Sequence, residues 1–234
     1  MGLTVTALAG GYGPVPVFQD VSIEVANAES VALLGRNGSG KTTLLRGLMG
    51  LLPRCRGGVA LDGLDLADAP THRRARAGLA YVPQGREIFP ELTVEENLRL
   101  GHVLGGRPMR TPIPEDVLGH FEWMHDRLGQ RGGTLSGGEQ QMLAVARVLL
   151  AEPKVILLDE PTEGLAPAVI EHLAELLGRI VRERRLGVLV VEQNVCFALA
   201  LAGRCYVMEK GAVVWSGSKN ELSTDDVVGQ YLAI

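Results

Sequence analysis

Apolar and polar residues alternate through positions 3–8 and again through 21–25, the two-residue period of a half-buried strand. The turn-forming run Gly10, Gly11, Tyr12, Gly13 and Pro14 lies between these stretches. Residues 30–34 are a short apolar run that leads straight into a glycine-rich loop, and residues 42–49, interrupted only by Gly47, read as the helix after it. Strand, loop and helix therefore follow one another directly. From position 91 to 128 the apolar spacing becomes helical, broken by Gly101, by Gly105 and Gly106, and by the proline-rich stretch 108–114, which predicts a mostly helical insertion over roughly 84–131. A helix at 137–151, an apolar strand at 155–158, a helix at 167–185 and a strand at 188–191 come next. Two more apolar runs, 205–208 and 212–215, flank Glu209, Lys210 and Gly211 as a hairpin. Short apolar strands alternating with helices of this length predict an α/β fold with a largely parallel sheet covered on both faces.

A chain of 234 residues, 46% of them hydrophobic, is long enough for one substantial core, so residues 1–234 are expected to form one domain with an embedded subdomain. The formal net charge is −4, and Lys and Arg are scattered apart from Arg73 with Arg74 and the cluster at 182–185. Without a continuous basic face, nucleic acid is not an expected partner. Cys55, Cys196 and Cys205 are odd in number, widely spaced and lack zinc-site spacing, which points to reduced thiols in a cytosolic protein. Apolar runs such as 155–158 and 187–191 fall far short of the roughly 18–20 residues a spanning helix needs. The N-terminus carries no charged-then-apolar leader pattern, so contact with a membrane is expected through a partner.

Three segments carry chemistry. Gly35, Arg36, Asn37, Gly38, Ser39, Gly40, Lys41 and Thr42 match the G-x-x-x-x-G-K-S/T phosphate loop in full, between a predicted strand and a predicted helix. Glycines there allow the tight turn and let backbone N–H groups approach phosphate oxygens at a positive helix end. Lys41 would reach the β- and γ-phosphates and the Thr42 hydroxyl would ligate Mg²⁺. The strand at 155–158 ends in two carboxylates, Asp159 placed to hold Mg²⁺ and Glu160 placed to polarise an attacking water. Leu135, Ser136, Gly137, Gly138, Glu139 and Gln140 set a serine and two glycines at a helix start, which makes either a second anion site or simply a capped helix with Ser136 as its N-cap.

Taken in order, the phosphate loop, Gln84 within Val82, Pro83 and Gln84, the 135–140 motif and the run Leu157, Leu158, Asp159, Glu160, Pro161 and Thr162 resemble the nucleotide-binding subunits of ABC transporters over nearly the whole chain. The resemblance implies a P-loop NTPase core with a mostly parallel sheet, an N-terminal antiparallel β part, and an inserted helical subdomain over about 84–150 that includes the signature motif 135–140. It implies ATP and Mg²⁺ as cofactors, with nucleotide contacts from residues 35–42 and Thr43 and adenine stacking by Tyr12. Thr42, Gln84 and Asp159 are implied at the metal, and Lys41, Glu160 and Gln193 in catalysis. In this family ATP lies between the phosphate loop of one subunit and the signature motif of another, so Ser136, Gly137 and Gly138 are implied to meet the partner's γ-phosphate and a lone monomer to hydrolyse poorly.

Segments 81–90, 92–98, 160–167 and 191–194 are similar to ATPases of branched-chain amino acid importers and of the related urea importers. The wording of 84–89 leans toward the urea type and that of 163–167 toward the amino acid type. This resemblance implies a peripheral protein on the cytoplasmic face of the membrane that drives two separate permease subunits. A second ATPase chain, a copy or a homologue, and indirectly an extracytoplasmic solute-binding protein would complete the assembly. Two positions depart from the wider family: Gln193 stands where most members have His, and Ala166 where they have Asp. Gln193 can hydrogen-bond a phosphate but cannot carry charge or shuttle a proton, so reduced or asymmetric hydrolysis is expected, not loss of it.

Overall fold

Strand β3 (Ser30–Leu34) organises the molecule because its alternate side chains enter two different cores. Val31 and Leu33 pack into one apolar cluster, Ala32 and Leu34 into the other. Strands β7 (Val155–Asp159) and β8 (Gly187–Glu192) divide in the same way, with Leu157 and Val191 on one side and Ile156, Leu158 and Val190 on the other. Such strands need apolar residues at nearly every position, which explains the unbroken runs in the sequence.

This is a computed structural model that describes residues 2–224 together with 229 and 231. Its larger sheet has six strands in the order β10-β9-β3-β8-β7-β6, with β6 at Leu79–Val82, β9 at Arg204–Glu209 and β10 at Ala212–Ser218. All neighbours in it are parallel except the β9–β10 hairpin. That hairpin turns through Lys210 and Gly211, both at positive φ (47° and 84°), the backbone a tight two-residue connection requires. The smaller antiparallel sheet has the order β2-β1-β4-β5, from β1 (Gly2–Gly11), β2 (Phe18–Ala26), β4 (Arg54–Leu61) and β5 (Leu64–Asp65). It shares one core with helix α1 (Lys41–Leu48), while α5 (Gly137–Leu149), α6 (Pro167–Arg184) and α7 (Val195–Leu201) cover the opposite face of the large sheet.

Residues 84–131 are less helical than their apolar spacing predicts. Only α3 (Val94–Leu104), the short α4 (Glu115–Leu118) and a 3-10 stretch (Glu122–Arg127) are regular there. Pro90, Pro108, Pro112 and Pro114 remove helix donors, and Gly105 and Gly106 end α3. Irregular chain persists because side chains take over the backbone's hydrogen bonds. The fully buried Asn97 accepts from the Phe89 N–H (2.9 Å) and donates to the carbonyls of Phe89 (2.9 Å) and Thr93 (3.0 Å). Strands β4, β5 and β6, helices α2 (Thr71–Ala77), α7 and α8 (Lys219–Thr224), and the 3-10 turn Gly132–Thr134 have no counterpart in the sequence expectation.

Candidate nucleotide site

The phosphate loop joins β3 to α1 at the end of the large sheet. Gly38 and Gly40 lie at φ 78° and 106°, and a Cβ on Gly35 would sit 2.5 Å from the Met208 carbonyl oxygen, so the loop tolerates no side chain at that point. Gly40 caps α1 without a side-chain bond, which leaves the first backbone N–H groups of the helix free of a cap. The groove in front of them holds about 280 Å³ and is lined by Val17, Asn37, Gly38, Gly40, Lys41, Thr42, Thr43, Gln84 and Glu160.

The Lys41 ammonium is nearly buried, donating to the carbonyls of Gly35 (2.7 Å) and Arg36 (3.1 Å) and standing 3.3 Å from a Glu160 carboxylate oxygen. The same carboxylate accepts from Gln84 Nε2 (3.3 Å) and from Gln193 Nε2 (3.2 Å to each oxygen). Three donors from three loops thus converge on Glu160, whose backbone is held at φ 43° with its N–H bonded to the Val191 carbonyl (3.0 Å). A non-glycine residue in that region stores strain that the surrounding structure must offset.

Asp159 is 1% exposed and accepts on both oxygens, from the Thr42 hydroxyl (2.9 Å) and the Tyr81 hydroxyl (2.8 Å). Burial pushes its carboxyl above the usual range, partly offset by those two bonds. Tyr81 is pushed upward too, by burial first and then by the charge of Asp159, so it remains a neutral donor. Neighbouring Glu192 is also buried and raised by burial. Its carboxylate accepts from the Thr162 N–H (3.1 Å) and hydroxyl (2.7 Å) and from the N–H groups of Gln193 (3.0 Å) and Asn194 (3.1 Å), which ties the Glu160 loop to the Gln193 loop.

The remaining expected residues stand around this centre. Tyr12 does not line the groove; it is 53% exposed after β1, and its hydroxyl accepts from Arg46 (3.0 Å). Among the described residues none of 135–140 lines the groove. Ser136 and Glu139 form a capping box on α5, Ser136 accepting from the Glu139 N–H (3.4 Å) and Glu139 from the Ser136 N–H (2.8 Å). Gly138 is pressed on α6, where an added Cβ would meet Val169 at 2.6 Å. Arg86 reaches toward the motif, 3.4 Å from the Gln140 side-chain oxygen and 3.3 Å from the Glu163 carbonyl. Ala166 begins α6 with no side-chain cap, and Pro167 occupies the first turn. Tyr81, Arg46, Val17 and Glu192 escaped sequence reasoning. Tyr81, Arg46 and Glu192 each stand within three residues of an expected position, Gln84, Thr43 and Gln193, but the partners Asp159, Tyr12 and Thr162 that reveal their contacts lie 78, 34 and 30 residues away.

The profile of the ABC transporter family matches residues 18–163, more than half of the chain. The chain belongs to the ABC transporter ATP-binding family. It is 42% identical over 217 residues to the high-affinity branched-chain amino acid transport ATP-binding protein BraG of Pseudomonas aeruginosa, covering 93% of each chain. It is 38% identical to the lipopolysaccharide export ATP-binding protein LptB of Haemophilus influenzae, covering 97% of this chain and 94% of that one. A solved ATP-binding subunit of an ABC transporter superposes with a TM-score of 0.78 at 31% identity, covering 98% and 93%. A dimeric ATP-binding cassette in a post-hydrolysis state with ADP and phosphate superposes with a TM-score of 0.80 at 25% identity, covering 93% and 98%. The fold is accordingly the ABC ATPase cassette, and this ABC subunit is an ATPase.

ATP and Mg²⁺ fit the residues present. Uncapped N–H groups of α1 and the Lys41 ammonium face the groove, the Ser39 hydroxyl is buried without a partner among the described residues, and the Thr42 hydroxyl that lines the groove stands 2.9 Å from an oxygen of the buried Asp159. When bound there, Mg²⁺ would supply charge neutralisation at the phosphates, held by Thr42, Asp159 and Gln84.

Proposed function

We propose that this chain energises uptake of branched-chain or other hydrophobic amino acids through two separate membrane subunits, working as a peripheral protein on the cytoplasmic face of the membrane. The observation that carries the substrate class is the 42% identity to BraG over 93% of both chains. No helix among the described residues is long and apolar enough to cross a membrane, which accords with permeases on other chains. The urea alternative rests on the wording of residues 84–89 alone.

In this reading the groove takes the triphosphate on residues 35–43, with Tyr12 against the base. Lys41, Gln84 and Gln193 turn from the Glu160 carboxylate to the γ-phosphate, which frees Glu160 to take the proton of the attacking water. The exposed Ser136 and the α5 start at Gly137 and Gly138 serve the nucleotide of a second cassette, a copy or a homologue. Residues 84–150 act as the helical unit that carries that motif and docks on the permeases.

The test is to purify the tagged chain from gently solubilised membranes of its own host and identify its companions by mass spectrometry. Ligand binding to any recovered solute receptor then gives the substrate. Two polytopic proteins, a second ATPase and a receptor selective for branched-chain amino acids are the expected result. Recovery of soluble proteins alone, or of a receptor that ignores these amino acids, would overturn the assignment.

A further inference from the structure

Asp159 is held from two sides, and only one of them belongs to the phosphate loop. Thr42 donates to one carboxylate oxygen, and the other accepts from Tyr81, a residue of β6 at the far edge of the large sheet order. The guanidinium of Arg46, on the last turn of α1, adds its charge to the surroundings of the Tyr81 phenol. That guanidinium also donates to the hydroxyl of Tyr12 (3.0 Å). Side chains from three segments, Tyr81 of β6, Asp159 of β7 and Thr42 of α1, therefore form one hydrogen-bonded path through the carboxylate.

The donor chemistry fixes the direction of each link. A carboxylate only accepts, so the Thr42 and Tyr81 hydroxyls both donate to Asp159. The single Tyr81 proton is then directed to Asp159, a charge-assisted bond about twice as strong as a neutral one. A buried carboxylate with one oxygen anchored to a strand cannot swing freely when the Thr42 hydroxyl is drawn to a metal.

We propose that Tyr81 is a positioning residue that fixes the Asp159 carboxylate for Mg²⁺. The proposal rests on the nucleotide reading given above and adds to it one residue, Tyr81, outside the phosphate loop and the acidic pair.

Tyr81→Phe in the full-length chain tests it, since the ring and its packing are kept and only the hydroxyl is lost. A fluorescent, non-hydrolysable ATP analogue is titrated with excess EDTA and again with excess Mg²⁺, and the ratio of the two dissociation constants measures the coupling of metal to nucleotide. Mn²⁺ binding to the same complexes, followed by electron paramagnetic resonance, gives a readout independent of turnover. Loss of a hydrogen bond to a charged group is expected to lower the ratio and weaken Mn²⁺ roughly tenfold, with metal-free binding and melting temperature little changed. Equal ratios and equal Mn²⁺ affinity in wild type and Tyr81→Phe would overturn the proposal and leave the ATPase intact. Failure of the unaltered chain to bind the analogue at all would remove the nucleotide reading itself.

Discussion

Asp159 carries a cost that can be measured without nucleotide. A carboxyl whose folded pKa is raised binds its proton more readily in the folded than in the unfolded chain. Its ionisation therefore subtracts from stability as pH rises through the raised value, and subtracts nothing below the unfolded one. Asp159→Asn should consequently raise the melting temperature of the nucleotide-free chain at pH 7 by about 2–4 °C, the shift that ~1 kcal/mol makes at this size, and the gain should fade as pH approaches 4. Melting curves at pH 7 and pH 4 decide this, and an unchanged or lower value at pH 7 would mean that the Thr42 and Tyr81 bonds outweigh burial. Gln193 offers a second test at this scale. It reaches Glu160 through its amide, and an imidazole at that position would add charge and a titrating proton. In the assembled transporter Gln193→His should raise ATP turnover by about two- to fivefold, well below the ~10²–10⁴-fold of a full acid or base, because the Gln193 amide already supplies a hydrogen bond. Identical turnover would show that position 193 limits nothing.

Why some elements were legible and others were not follows from how local their determinants are. The phosphate loop reads directly because its glycines act on their own backbone, and β3, β7 and β8 read because strands buried on both faces leave no choice but apolar residues. Helix α2 did not read because only Arg74 among its residues is buried, and its role depends on a distant partner. Arg74 donates to the carbonyls of Gly47 (3.0 Å) and Leu48 (2.7 Å), closing the C-terminal end of α1, and to those of Ala67 (2.7 Å) and Ala69 (2.8 Å). Replacing it with Met keeps the stem but removes the donor from the Leu48, Ala67 and Ala69 carbonyls, while Gly47 still accepts from the Gly50 N–H (3.0 Å), so a loss of roughly 2–4 kcal/mol in urea unfolding is expected. A change below ~0.5 kcal/mol would place Arg74 with ordinary surface residues. Strand β4 was hidden by the adjacent Gly57 and Gly58, where the register with β1 shifts between Thr6 and Ala9 and a Cβ on Gly57 would meet the Ala7 carbonyl oxygen at 2.6 Å. The stretch 84–131 was overread as helix because spacing counts apolar residues and takes no account of side chains such as Asn97 that stabilise irregular chain.

At the scale of the molecule, one sheet carries the chemistry and its two faces have different tasks. The face that packs on α1 and the antiparallel sheet fixes the phosphate loop; the face under α5, α6 and α7 bears the signature motif, with Arg86 and Gln140 reaching between it and the loop that starts at Gln84. Because Glu160 occupies the donors of Lys41, Gln84 and Gln193, nucleotide entry and release of Glu160 are one event in this account. The most direct test is phosphate release by the transporter complex in vesicles, with Glu160→Gln against the wild type and with binding of radiolabelled ATP followed in parallel. The variant is expected to bind ATP and to lose hydrolysis by at least about 100-fold. Hydrolysis by Glu160→Gln at the wild-type rate would contradict it and move the catalytic base elsewhere.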